Sequence, residues 1–180
     1  MRLPEFERKG ICVDIETLGT SPDTVILSIG ACVWNLDSNT VSDCYYSEIK
    51  STQFKRTTDA DTLEWWKIQR ELGTHFPDGK ESLRTVLGDF CAWTAKHVGP
   101  IYSNGTDFDI TILTHALKQE DYLIPWAYYA VRDYRTLRQL FPHVKAPQAN
   151  SKKHHAMYDA IYETQHLLEI LRHIDENKPS

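Results

Sequence analysis

The chain has 180 residues, 41% of them hydrophobic and 11% aromatic, a length that suits one domain with a buried core and a composition that argues against disorder. With 25 acidic against 20 basic residues the formal charge is -5, so no global positive field advertises nucleic acid, and a phosphate partner must be held locally. The four cysteines, Cys12, Cys32, Cys44 and Cys91, lie in apolar segments without metal-ligand spacing, and no window approaches a membrane span, so reduced thiols, no membrane partner and a cytoplasmic location are expected.

In chain order, "MRLPEFERK" reads as a tail, and three short strands follow it: "ICVDIE" (11–16), "TVILSIGACVW" (24–34) and "TVSDCYYSEI" (40–49). Turn-rich "TSPD" and "NLDSN" separate them, which favours antiparallel neighbours. Helical spacing then appears in "DADTLEWWKIQREL" (59–72) and "KESLRTVLGDFCAWTAKHV" (80–98), with apolar residues from Leu83 to Val98. "PIYS" (100–103) is a strand ending at Asn104-Gly105, and "FDITILTHALKQ" (108–119) is the helix after it, a strand-then-helix order. "AYYAVRD" (127–133) reads as extended, "YRTLRQLF" (134–141) as helical, and "HHAMYDAIYETQHLLEILRHI" (154–174) as a long closing helix before the tail "DENKPS". Strands alone at first and alternating with helices later imply a mixed sheet with helices packed on it.

Chemistry concentrates in three places. In "GICVDIETLGT" the side chains of Asp14 and Glu16 share one face of a strand, opposite Ile11, Val13 and Ile15. Two carboxylates side by side raise each other's proton affinity unless cations relieve them, and a divalent metal among oxygen ligands does so; a solvated strand face with salt bridges also accommodates the pair. In "SNGTDFDITIL", Asp109 opens a helix, where an acid also serves as an ordinary dipole partner, and Asp107 is an equally plausible cap. In "HHAMYDAIYETQHLL", His154 and Asp159 are five apart, about 500° around a helix, so they need not share a face. If the helix starts at about Ala156, His154 lies on the loop before it and can fold over the point that Asp159 enters; a surface pair is the plainer alternative.

Taken in order, Asp-x-Glu, Asn-Gly-x-x-Phe-Asp and His-x-x-x-x-Asp-Ala resemble the three motifs of the DEDDh 3′→5′ exonucleases of the ribonuclease H-like superfamily, from about Cys12 to Leu171, and "TLEWWKIQ" is similar to a phage and bacterial branch. The resemblance implies an α/β ribonuclease H-like fold: a five-stranded mixed sheet, three antiparallel strands then two parallel, with helices on both faces, in a single exonuclease domain over 1–180 with its core at about 10–175. It implies that Asp14, Glu16, Asp109 and Asp159 hold two Mg²⁺ or Mn²⁺ ions about 3.5–4 Å apart, a hard-ligand set suited to phosphodiester hydrolysis. By the family's pattern Asp14 bridges both ions, Glu16 and Asp159 hold the one that binds the attacking water, Asp109 supports the other, and His154 accepts the water's proton, with His155 as the near-miss alternative. Substrate contacts are expected at Thr17, Leu18, Asn104 and a stacking Trp66, Trp65 being the adjacent indole. Lys55, Arg56, Arg132, Arg135, Arg138, Lys152 and Lys153 are candidates to guide the backbone.

The function so implied is removal of 5′-mononucleotides from single-stranded DNA or RNA 3′ ends, with weak sequence preference. An exoribonuclease of short oligoribonucleotides or RNA ends is the enzymatic alternative, and a non-catalytic nucleic-acid-binding module is the other. A homodimer is compatible with the aromatic-rich composition.

Overall fold

A computed structural model describes residues 2–148 and 154–176; Lys152 and Lys153 lie outside the described residues. Strands β1 (Lys9–Thr17), β2 (Ile26–Asn35), β3 (Thr40–Glu48), β4 (Ile101–Ser103) and β5 (Val131–Asp133) form one sheet in the order β3-β2-β1-β4-β5. β1, β2 and β3 pair antiparallel, and β4 and β5 join parallel to β1. The fold is the mixed ribonuclease H-like sheet expected from the motifs. Among the described residues five helices accompany it: α1 (Ala60–Glu71), α2 (Leu83–Thr94), α3 (Asp109–Gln119), α4 (Tyr134–Leu140) and α5 (Ala156–Glu176). No helix among the described residues is long and apolar enough to cross a membrane.

The period of two in β1 decides which helices meet which residues. Ile11, Val13 and Ile15 pack with Leu87 and Phe90 of α2 and Leu113 and Leu117 of α3 in the larger core. Cys12, from the opposite face, packs with Tyr134 of α4 and Leu167, Leu168 and Leu171 of α5. Asp14 and Glu16 continue the Cys12 register, so they open toward α5. Fully burying each such Leu or Phe is worth about 1.5–3 kcal/mol, which is how two apolar faces clamp a central strand that ends in carboxylates.

One glycine makes that arrangement possible. Gly30 of β2 is the register partner of Asp14. A Cβ built on it would lie 2.2 Å from the Ala156 carbonyl carbon. The missing side chain lets the first turn of α5 touch the sheet beside Asp14, and Ala156 and Ala160 are fully buried there.

Three boundaries differ from the sequence reading. α2 stops at Thr94 instead of reaching Val98, which is 70% exposed: Ala95, Lys96 and His97 close a turn, and Gly99, at φ +136, then crosses over Lys9. Only the second half of "AYYAVRD" is strand; Tyr128–Ala130 forms a 3-10 turn that leaves Tyr128 and Tyr129 exposed. The N-terminal segment is no loose tail. Glu5–Glu7 form a 3-10 turn, the Leu3 amide donates to Asp175 Oδ1 at 2.6 Å, and Arg8 joins Asp37 to Asp175. The apolar pattern there was too short to reveal partners so distant in sequence.

Candidate active site

The end of β1 and the first two turns of α5 supply the carboxylates. Asp14, Glu16 and Asp159 each offer an oxygen, and these oxygens lie within 4.8 Å of one another. Asp109, at the start of α3, is 3% exposed and accepts the Ile15 backbone N–H at 3.2 Å, which fixes it against the same strand from below. The cleft above Asp14, Glu16 and Asp159 has a volume of about 530 Å³, within the roughly 300–1,000 Å³ range of small-ligand sites, and Asp109 lies behind its lining. Its wall includes Asn104, Tyr134, Arg138, His154 and Tyr162.

The acids disturb one another strongly. Burial, reinforced by Asp159 and Asp109, pushes the Glu16 carboxyl up to about 8. Burial likewise lifts Asp109 to about 7, even though the Ile15 N–H favours its ionised form. Asp14 rises well above the usual carboxylate range, first through burial and then through Asp109, Glu163, Glu16 and Asp159. Asp159 is raised by burial and partly restored by the backbone N–H groups of His155 and His154.

Such a set ionises together only when positive charge is supplied among it, so the residues present fit a hard divalent cation. The convergent donors are all carboxylate oxygens, without the His or Cys typical of a structural zinc site.

The structure also separates the two neighbouring histidines. His155 stacks on Tyr46 with ring centroids 4.5 Å apart, and its backbone N–H donates to Asp159 Oδ2 at 3.2 Å. His154 lines the cleft. α5 begins at Ala156, so His154 occupies the loop position that the sequence reading made conditional on that start. Asp107 is exposed, whereas Asp109 faces the strand.

Among the expected substrate contacts, Asn104 lines the cleft, but Thr17, Leu18 and Trp66 do not. The Thr17 hydroxyl donates to the Gly19 carbonyl at 2.7 Å, and Leu18 packs with Val25, Leu27 and Trp66. Trp66 is 2% exposed and its Nε1–H donates to the Thr17 carbonyl at 2.8 Å. Its ring is enclosed, so the expectation that it stacks on a base is corrected. The indole beside the cleft is Trp65, which is 36% exposed and meets the His154 ring edge-on at 4.8 Å.

Of the basic candidates, Arg138 lines the cleft. Arg132 is held by Glu7, Arg135 donates to the Asn104 carbonyl, and Arg56 donates to the Thr24 carbonyl and the Gln119 amide oxygen. These three are tied into the fold.

Sequence reasoning missed Glu163. It is 5% exposed, lines the cleft, and approaches the Cys12 thiol at 3.9 Å. Burial raises its carboxyl well above the ordinary range, with Asp109 and Asp159 adding to the effect. The signal was present: Glu163 follows Asp159 by one helical turn, about 400° around the axis, and so shares its face.

Solved exonuclease structures, one of them described as a DEDDh family member, share this fold. The nuclease domain of 3′hExo bound to rAMP, a DEDDh family member, superposes with a TM-score of 0.67 at 10% identity over 98% of each chain. A 3′-exonuclease solved in recognition of the histone mRNA stem-loop gives 0.66 at 11% identity, over 96% of this chain and 85% of the other. A zinc-bound complex of E. coli ExoI with single-stranded DNA gives 0.68 at 14% identity; this chain is 93% covered but spans 41% of that enzyme. A comparison with curated proteins found no match. Residues 9–171 match the Rv2179c-like 3′-5′ exoribonuclease domain, and the chain belongs to that family.

Proposed function

We propose that the chain is a 3′→5′ exonuclease domain, with its core at about 10–175, that hydrolyses the terminal phosphodiester bond of single-stranded nucleic acid and releases 5′-mononucleotides. The observation that carries this reading is the convergence of carboxylate oxygens from β1 and α5 within 4.8 Å, next to His154 in the same cleft. Asp14, Glu16 and Asp159, with Asp109 behind them, are the residues that would hold two Mg²⁺ or Mn²⁺ ions. Cations held there would supply charge to offset that on the phosphoryl oxygens and the departing 3′ oxygen and would acidify the attacking water. The His154 imidazole accepts that water's proton. Arg138 attracts the phosphate on the cleft wall, where the other charged residues among those described are acids.

RNA 3′ ends are the favoured substrate, because the matched family is described as exoribonucleases. The cleft volume suits one terminal nucleotide at a time. The cytoplasm is taken as the place of action, in keeping with the reduced-thiol reading of the cysteines.

End-labelled RNA and DNA strands and a dinucleotide, incubated with Mg²⁺, Mn²⁺ or chelator, test the proposal. A ladder of single-nucleotide steps from the 3′ end, abolished by chelator and by Asp14→Asn, is expected. Full-length substrate in every metal condition, together with no Mn²⁺-induced rise in melting temperature, would overturn it in favour of a binding module.

A further inference from the structure

His154 sits at a backbone φ of +61, in the left-handed region that few side chains other than Asn, Asp and His adopt. Its main chain is held there by Asp159, whose carboxylate accepts the backbone N–H groups of His154 and of His155, the latter at 3.2 Å. The side chain is held by something else. Its ring meets the Trp65 indole at 90° with centroids 4.8 Å apart, the edge-to-face geometry that aromatic pairs favour.

Trp65 is itself fixed from behind. Its neighbour Trp66 packs edge-on against it at 5.0 Å and anchors α1 to the last residue of β1 through the Nε1–H to Thr17 carbonyl bond. The rest of α1 is loosely engaged, since Trp66 is its single buried residue. The helix thus reaches from the end of the acid-bearing strand to the imidazole, carrying one indole that anchors and one that touches His154. Core packing does not account for Trp65: Leu63 and Ile68 of α1 are exposed as well, but Trp65 belongs to none of the apolar clusters and is the one of the three whose ring meets His154.

We propose that Trp65 is a positioning residue: its indole holds the His154 imidazole over the carboxylate cluster, while Asp159 holds the His154 backbone. This deepens the proposed function and rests on it only for the consequence in turnover; the ring contact stands independently. Pinning one residue at two points keeps a base within hydrogen-bond reach of its proton, where a displacement of about 1 Å can cost 10²-fold in rate.

The test compares Trp65→Leu, Trp65→Phe, His154→Ala and the double variant Trp65→Leu/His154→Ala in single-turnover and steady-state assays on end-labelled RNA, alongside NMR of the His154 imidazole protons and Mn²⁺ titration. Trp65→Leu should lower kcat by about ten- to a hundredfold with KM nearly unchanged, and should add nothing further to His154→Ala. Trp65→Phe should restore much of the loss. The His154 ring protons should lose the indole's ring-current shift in Trp65→Leu, and Mn²⁺ affinity should stay the same, which shows the fold and the acids intact. A rise in KM with kcat unchanged, or losses that multiply in the double variant, would make Trp65 a base-stacking platform and overturn the proposal. If the wild-type protein cleaves no substrate, the proposed function falls, and the NMR comparison still decides: unshifted His154 signals in Trp65→Leu would end the positioning role.

Discussion

Glu16 lies beside Asp14 and Asp159 with a carboxyl pushed up to about 8, because burial, Asp159 and Asp109 all oppose its ionisation. Without cations, part of this cluster must stay protonated or bear repulsion. Removing one charge therefore stabilises the metal-free protein while it removes a ligand. Asp14→Asn should raise the melting temperature in chelator by about 2–4 °C, the shift that roughly 1 kcal/mol produces in a chain of this size. The same variant should lose the Mn²⁺-induced rise and all detectable turnover; thermal melts with and without Mn²⁺ check both. The pH dependence follows the same logic. Unfolded acids release their protons near pH 4, whereas Asp109 and Glu16 in the fold keep theirs to about 7 and 8. Over that interval the native state binds more protons than the unfolded one, so metal-free stability falls as pH rises. Melting temperatures in chelator should decline from about pH 5 to pH 8.5, and stabilisation by Mn²⁺ should grow over the same range; a flat chelator profile would contradict the ascribed shifts.

At the scale of elements, the docking of α5 on β2 sets the distance between the carboxylates. Gly30 is the contact point, with the Ala156 backbone 2.2 Å from where a Cβ would stand, and backbone cannot yield as a side-chain tip can. Gly30→Ala should push the first turn of α5 off the sheet, moving Asp159 away from Asp14 and Glu16. Loss of Mn²⁺-induced stabilisation by at least tenfold in affinity is expected, beyond any fall in melting temperature; calorimetric titration measures it, and unchanged Mn²⁺ affinity would show that the contact is tolerated. Helix α1 makes the complementary point. "EWW" reads as helix at once, but which indole is buried depends on where the helix lies, and the sequence reading chose Trp66 for the substrate.

For the whole molecule, Arg8 closes the chain on itself. Its guanidinium, little exposed, joins Asp37 in the turn between β2 and β3 to Asp175 near the end of α5, and the Leu3 amide adds a second link to Asp175. Arg8→Ala removes the little-exposed cation shared by Asp37 and Asp175, leaving Asp37 to the exposed Arg2, and should lower the melting temperature, with Mn²⁺ affinity unchanged because the carboxylate cluster lies at the other end of α5. A loss of Mn²⁺ binding in that variant would mean that the clasp also sets the helix position.

The sequence alone determined the local periods and the chemistry placed on them. Alternation set Asp14 and Glu16 on one face of β1, helical spacing located α2, α3 and α5, and residue type made hard cations the natural partners of the acids. Local sequence could not decide what was brought opposite what. Trp65 rather than Trp66 reaching His154, Arg8 spanning to Asp175, and the break of "AYYAVRD" into turn and strand all depend on the packing of segments distant along the chain. Period and propensity are properties of neighbouring residues, whereas burial and contact arise only once two apolar faces have excluded water between them.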